Sequence, residues 1–496
     1  MNGDQLKAQG FALMREHALI GGEAVGVGGT RIEVDEPADG SILGAVPDLG
    51  VAETERAIVA AHESFRTWSR TPQAERAAIL RRWAALVDEV EDGLAALLSL
   101  ENGKPFEEAR GEIRYANGFV KWFAAQAEGL SGDNLESPLP GMTILTFREP
   151  VGPVAAITPW NFPAAMITRK VAAAFAAGCT AVVKPASQTP FTAIALCELA
   201  HEAGLPPGAF SVVTGDAATV GGALTASPLI RKLSFTGSTP VGRTLAAQCA
   251  PTLKRLSLEL GGAAPLVVFD DADVEHAAEE TVKGKFRNSG QTCVCPNRVY
   301  VQRGVYDAYV EALAARVAAL KVGSAFEPGV RIGPLIEPRA VDKVIDHVAR
   351  ATASGARVVA GGERHPRGER FFQPTVLAGG DDRLFREEET FGPVVPVFAF
   401  DTEAEALERC NASEFGLASY LFTRDLDRSV RFARGLEDGI VGVNTGIVSN
   451  PAVPFGGVKQ SGYGREGSVY GIDEYLSVKS VTLALKPLAK NASRGT

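Results

Sequence analysis

The spacing of apolar positions changes along the chain, and each change marks a different kind of structure. From Asn2 to about Ala127 they recur at helical intervals in long amphipathic runs such as ETERAIVAAHESFRTW and QAERAAILRRWAALVDEVEDGLAALLSLENG. Each run begins near a Thr or Pro and the second stops at Gly103, as helix-capping chemistry requires, so this region reads as helical scaffold. Between Gly152 and Leu260 short apolar runs take over: PVAAI (153–157), TAVVK (180–184), FSVV (210–213), KLSF (232–235) and RLSLEL (255–260), separated by helical segments ending in AAG or EAG. Buried short strands alternating with helices predict βαβ units and an α/β fold built on a parallel, doubly wound sheet. From Gly261 a second α/β region follows, with PLVVF, RVYVQ and FGPVVPVFAF as strands and helices over 273–289, 305–320 and 402–412. A strand-like stretch at 142–148 interrupts the helices before the first sheet. It pairs naturally with the tail YLSVKSVTLAL, and two apolar strands without a core of their own suggest an edge used for oligomerisation. The expected division is therefore 1–127 with 150–260, then 261–470, then 128–149 with 471–496.

Ligands of such sheets bind beyond the carboxyl ends of the strands, often at helix N-termini. The polar residues of the first region fall there: TPWNFP after the first strand, KPASQTP after the second, TGDA after the third and TGSTPVG after the fourth. Backbone N–H groups around Gly237 and Ser238 suit a pyrophosphate, and Lys184 suits a ribose or phosphate oxygen. The usual dinucleotide fingerprint GxGxxG is absent after the first strand. GSTPVG is looser and on its own reads equally well as an ordinary strand-to-helix turn.

Composition narrows the partners. A chain of 496 residues with a formal charge of −9 and no low-complexity tract offers no basic patch for nucleic acid and no polybasic segment for anionic lipid. No apolar stretch approaches the roughly 18 residues of a membrane span. The polar N-terminus MNGDQLKAQG lacks the layout of a signal peptide, so a cytoplasmic protein with a small organic substrate is expected. There the default state of the six cysteines is the thiol.

Two of those cysteines stand one residue apart in KFRNSGQTCVCPNR, which leaves three readings: half a metal site, a disulfide, or a nucleophile with a companion. Structural zinc needs two pairs of ligands, and the other cysteines and the histidines are scattered, so no metal is expected. The small polar setting NSGQTC gives a thiol access to substrate. Asn161, in the tight PWNFP turn, could supply an oxyanion donor, and Glu259, ahead of a glycine pair in LELGG, could sit at the floor of a cleft. A packing role for Trp160 and a salt-bridged structural role for Glu259 are the plain alternatives.

PWNFP, VVKPASQTP, FTGSTPVG, LELGG, GQTC, EETFGPV and NTG…PFGGVKQSGYGREG, in this order and spacing over nearly the whole chain, resemble the aldehyde dehydrogenase family. The resemblance implies a cofactor domain, a catalytic domain and a small bridging β element. It implies that Cys293 attacks the aldehyde, that the Asn161 amide and the Cys293 N–H hold the oxyanion, and that Glu259 activates the water that releases the acid. Glu389 and Phe391 would position the nicotinamide end of the cofactor, and Thr158, Trp160, Lys184, Gly237, Ser238 and Leu260 would line the rest of its site. A homotetramer built from dimers is the assembly the family favours; a dimer is the other possibility. A catalytically silent binding or structural protein on the same fold is a remote alternative, opposed by the joint presence of Cys293, Glu259 and Asn161.

Many NAD-using relatives carry a Glu where this chain has Ser187. A serine beside Lys184 does not repel a 2′-phosphate, so NADP is expected to be preferred, with NAD possible. The combination ITRK, KFRN…CVC and NTGIVSN is similar to succinate-semialdehyde dehydrogenases. An ω-carboxylate needs a cation, and Arg169 and Arg287, helped by Ser449, are the candidates, each with an interdomain ion pair as its alternative reading. A five-carbon substrate such as glutarate semialdehyde is the nearest rival. Cys295 is either a small buried hydrophobe opening the next strand or, as in similar enzymes carrying CVC, half of a redox switch with Cys293.

Overall fold

A computed structural model describes residues 2–26 and 28–484. The five apolar runs between 152 and 260 form strands Val154–Ile157, Ala181–Lys184, Phe210–Val212, Lys232–Thr236 and Arg255–Glu259. They lie parallel in the spatial order 210–212, 181–184, 154–157, 232–236, 255–259, with helices Ala165–Ala177, Phe191–Glu202, Ala217–Ala226 and Thr239–Cys249 between them. The chain order reverses beside the 154–157 strand, and the TPWNFP and TGSTPVG turns leave from adjacent strands there. A second sheet of seven strands contains Pro265–Val268, Arg298–Gln302 and Val394–Phe400, with Ala418–Phe422 and Ile440–Val443 beyond them.

Two departures from the sequence reading stand out. The first 127 residues are not helical throughout: Ala18–Ile20 and Glu23–Val25 extend the first sheet, and Arg31–Asp35 and Ile42–Pro47 form an antiparallel pair. These runs are too short to show a period, and the tight turn at Gly21 and Gly22, both with positive φ, separates the first two. The division at 260 is also crossed, because Gly462–Tyr463, from within 261–470, pairs antiparallel with Glu259 and Leu258 and closes the outer edge of the first sheet.

The helices of the first region pack where their apolar stripes predict. Gln73–Glu89 buries Trp83, whose ring meets Phe175 and Phe210 at centroid distances of 6.3 Å each, joining the helical layer to the sheet. The helix Glu91–Asn102 ends at Gly103, held at φ 81°, a conformation that costs a side chain but not glycine. The third expected element is present as an antiparallel sheet in which Met142–Pro150 pairs with Leu476–Ala484, with Asn134–Glu136 on its other side. It leaves Leu135, Phe147 and Val478 exposed. Residues 485–496 of that element lie outside the described residues. Among the described residues no helix is long and apolar enough to cross a membrane.

The Trp83 cluster is the hinge of this packing. Trp83→Ala is expected to cost about 3–5 kcal/mol, the range for truncating a large buried aromatic. The cost should appear as a melting midpoint lowered by several degrees in a thermal unfolding scan; an unchanged midpoint would show that the helical layer is held elsewhere.

Candidate active site

A cavity of about 470 Å³ opens where the carboxyl ends of the first sheet face the second. Trp160, Asn161, Gly237, Ser238, Leu260, Cys293, Glu389 and Phe391 all line it, as the sequence leads one to expect. Thr158, Lys184, Ser187 and Glu259 are not among its lining residues.

Each wall has a local cause. Gly237 has no room for a side chain, because a Cβ there would sit 2.4 Å from the Phe235 ring. The following helix Thr239–Cys249 starts with Ser238 in an extended conformation and with no side-chain cap, so its first N–H groups and the Ser238 hydroxyl are available to a ligand. Gly262 allows close approach of the second region: a Cβ there would lie 2.8 Å from the Cys293 carbonyl oxygen. Phe391 is held at φ 52°, a conformation costing a non-glycine residue about 1–3 kcal/mol, and its ring meets Trp160 edge-on at 5.6 Å. The Trp160 ring thus packs against another wall of the cavity, which joins the packing and lining readings of that residue.

Several buried polar atoms are left without partners in this region: Thr158 Oγ1, Thr236 Oγ1, Glu389 Oε1 and both carboxylate oxygens of Glu259. Orphaned polar groups are costly, and native chains keep them where a ligand completes them. Burial raises the Glu389 carboxyl to about 8, although Lys343 and Lys285 pull the other way. Lys184 is buried, donates to the Pro185 carbonyl at 3.1 Å and has its ammonium disfavoured by burial; Asp216 and Asp48 oppose that shift. Ser187, half-buried, lies three residues beyond it in the same loop.

Cys293 sits at the junction of this cavity and a much tighter pocket of about 10 Å³ that also touches Phe162, Arg169, Arg287, Ser449 and Phe455. The two arginines differ in what they face. Arg169 is wholly buried, forms an ion pair with Glu466, which lies near the C-terminal end of the second region, and stacks over Phe455 at 4.4 Å. It therefore has the ion-pair partner of its alternative reading and is not a free cation. Arg287 is half-buried, lies 5.1 Å over Phe162, reaches Ser449 Oγ at 3.5 Å, and has a buried Nε with no partner.

Asn161 is buried and its Nδ2 donates to the Gln291 carbonyl at 3.0 Å, so the turn after the first strand is bonded directly to the loop that carries Cys293. Glu259 ends its strand behind Leu260. Burial and the neighbouring Glu466 carboxylate push its carboxyl well above the usual range. Glu466 goes the opposite way: Arg169 and Lys170 outweigh the burial penalty and hold it low.

Both CVC cysteines are free thiols. Cys295 is buried against the Gly290 carbonyl at 3.4 Å and the Lys285 ammonium at 3.6 Å, and does not line the cavity.

Three groups of residues escaped the sequence reading. Lys343 and Arg339 line the cavity from the helix Pro338–Ala353, which has apolar positions at 341, 344, 348 and 351 that would have revealed it. Glu466 lies inside the quoted PFGGVKQSGYGREG stretch, but only the fold brings it to Arg169. Asn288 carries no signal in one sequence that separates it from any loop asparagine.

A cleft at the carboxyl ends of a parallel sheet, with a helix N-terminus at one side and a cysteine at its inner end, is the arrangement of a nucleotide-dependent α/β oxidoreductase. Comparison with known proteins gives the family. The profile of the aldehyde dehydrogenase family matches residues 25–481. The chain is 53% identical over 473 residues to a glutarate-semialdehyde dehydrogenase of Pseudomonas aeruginosa, covering 95% of this chain and 98% of that one. It is 52% identical over 482 residues to the NADP(+) succinate-semialdehyde dehydrogenase of Escherichia coli, covering 97% and 100%. The crystal structure of a succinate-semialdehyde dehydrogenase from Burkholderia pseudomallei superposes with a TM-score of 0.95 at 53% identity, over 96% of this chain and 99% of that one. The protein belongs to the aldehyde dehydrogenase family, whose members use NAD or NADP.

Burial raises the Cys293 thiol to about 12, with Arg169 and Arg287 pulling it down and Glu389 and Glu259 pushing it up. The thiolate is the charged form, so below that value its population grows tenfold per pH unit. Alkylation of the cofactor-free enzyme by iodoacetamide should therefore accelerate about tenfold per unit from pH 7 to 10. A plateau below pH 9 would show that the resting thiolate is stabilised.

Proposed function

We propose that this enzyme oxidises succinate semialdehyde to succinate, with NADP+ preferred over NAD+. The observation that carries the reading is the place of Cys293, between a cavity large enough for the nicotinamide end of a dinucleotide and a tight pocket that contains Arg287. An aldehyde with its carbonyl at the thiol would extend its far end toward that guanidinium.

The residues of the cavity fit the cofactor. The helix start at Ser238 would receive the pyrophosphate, Glu389 and Phe391 would hold the nicotinamide ribose and ring, and the unpaired hydroxyl of Thr236 points to a polar ligand. When bound, the nicotinamide accepts the hydride. The chain does the rest. Cys293 loses its proton to solvent water, and the thiolate Sγ then adds to the aldehyde carbon. The oxyanion of the resulting thiohemiacetal takes hydrogen bonds from Asn161 Nδ2 and the Cys293 N–H; one such donor is typically worth about 10²–10³ in rate. Loss of hydride from that carbon leaves a thioester. Glu259 then takes a proton from water, which attacks the thioester carbon and expels the Cys293 sulfur. Burial and the Glu466 carboxylate raise the affinity of Glu259 for protons, so it must give up its own proton before it can accept one from water.

Arg287, with Ser449 beside it, is the carboxylate anchor, and Arg169 adds charge from behind its ion pair with Glu466. An anchored carboxylate discriminates against neutral aldehydes. Chain length is read more weakly, since one methylene is worth only about 1–3 kcal/mol. Glutarate semialdehyde is accordingly the second reading, favoured by the relative from Pseudomonas aeruginosa. For the cofactor, Ser187 in place of a carboxylate and the adjacent Lys184 favour a 2′-phosphate, against the opposing charges of Asp48 and Asp216. The exposed apolar residues of the three-stranded sheet support a homo-oligomer.

Two measurements test the reading. Arg287→Ala should raise KM for succinate semialdehyde about 10- to 100-fold, in line with about 1.5–3 kcal/mol for a hydrogen bond to a charged group. Its KM for butanal should stay the same, and equal effects on both aldehydes would remove the anchor. For the cofactor, kcat/KM with NADP+ should exceed that with NAD+, and Ser187→Glu should reverse the order. A wild-type preference for NAD+ would overturn the assignment.

A further inference from the structure

The run Asn102–Glu112, in sequence the end of one helix and the start of the next, makes more polar contacts with the active-site loops than a scaffold requires. Asn102 Nδ2 donates to the Trp160 carbonyl at 3.0 Å and Lys104 Nζ to the Asn161 carbonyl at 2.9 Å. Glu112 pairs with Lys104 and accepts the Ala164 and Ala165 N–H groups at 3.0 and 3.3 Å. From the second region, Asn288 Nδ2 donates to the same Asn161 carbonyl at 3.0 Å, while its own N–H is held by Glu108 Oε2 at 2.8 Å. One carbonyl, that of the oxyanion donor, is thus gripped from both sides.

The grip has costs that stability does not explain. Lys104 and Glu112 are 2% and 4% exposed, and a buried ion pair is commonly no more stabilising than apolar residues of the same shape. Asn288, Ser289 and Gly290 adopt φ of 50°, 56° and 78°, three consecutive left-handed residues of which two carry side chains. Such a turn persists only where its surroundings fix it, and it sits directly before Gln291–Cys293.

We propose that Lys104, with its partner Glu112, and Asn288, held by Glu108, are positioning residues that set the Asn161 amide against Cys293. This inference rests on reading Asn161 as the oxyanion donor and Cys293 as the nucleophile. The residues touch neither substrate nor cofactor; they act through the Asn161 backbone, so their removal lowers the rate of the step that builds the oxyanion and leaves access to the thiol intact.

The test is a set of double-mutant cycles with Asn161→Ala, read by single-turnover hydride transfer at 340 nm. Lys104→Met/Glu112→Gln removes both charges together, while the Gln carbonyl can still accept the Ala164 and Ala165 N–H groups. Asn288→Gly keeps the left-handed turn and deletes only the side-chain donor, so it reports even where the pair variant does not fold. Each should slow hydride transfer about 10- to 100-fold, no more than the roughly 10²–10³ that a whole oxyanion donor contributes. Each should leave the iodoacetamide rate at Cys293, which needs no oxyanion, within twofold. In the Asn161→Ala background the further loss should shrink to less than about threefold, because residues acting as one unit are not additive. Losses that multiply in that background, or an Asn288→Gly enzyme of wild-type rate, overturn the proposal while leaving the oxyanion reading in place. An Asn161→Ala enzyme of wild-type rate overturns the oxyanion reading and the proposal together.

Discussion

The nucleophile and the proposed oxyanion donor come from different sheets, and chemistry of this kind tolerates misplacement of only about 0.5 Å. The hydrogen bond from Asn161 to the Gln291 carbonyl spans that junction, and much of the site is arranged around it. It explains why Gly262 is needed where the second region begins, since any side chain would push the Cys293 backbone away from the first sheet. It also explains the tight turn at PWNFP: a looser loop would leave the amide free to swing out of register.

A second constraint is electrostatic. Arg169, Lys170, Glu259 and Glu466 occupy one dry region with two cations and two carboxyls. Arg169 and Lys170 lie directly on Glu466, so that carboxylate stays ionised, and its charge adds to burial in raising the proton affinity of Glu259. Two groups of identical chemistry are thereby held in different states, one as an ionised counter-ion and the other with its neutral form favoured. The same cluster accounts for the ambiguity of Arg169: a cation placed to balance Glu466 also lines the pocket beside Cys293, and its charge acts in both directions.

Sequence patterns made the sheets legible because buried strands alternating with helices leave apolar runs of four to six residues between turn residues, as in TAVVK and KLSF. They also brought to notice Cys293, Asn161 and six other residues that line the cavity, because these sit in or beside turns whose residue types are constrained by close backbone approach. What stayed hidden depends on contacts between distant segments. The strands between residues 18 and 47 are shorter than the window in which a period can be recognised. Glu466, Lys343 and Lys104 are ordinary charged residues until the fold carries them to Arg169, Glu389 and Asn161. No single-sequence pattern distinguishes an arginine with an unpartnered Nε from one that balances a buried carboxylate, which is why Arg287 and Arg169 looked alike.

The return of the chain at Gly462–Tyr463 to the strand that ends in Glu259 has a consequence for biosynthesis. The first sheet is almost complete when residue 260 leaves the ribosome, yet its outer edge stays uncovered while the whole second region is being translated. Leu476–Ala484 arrives later still to cover Met142–Pro150. A nascent chain therefore carries open strand edges for most of its synthesis, and such edges recruit other chains. Premature termination anywhere between these points would leave those edges uncovered.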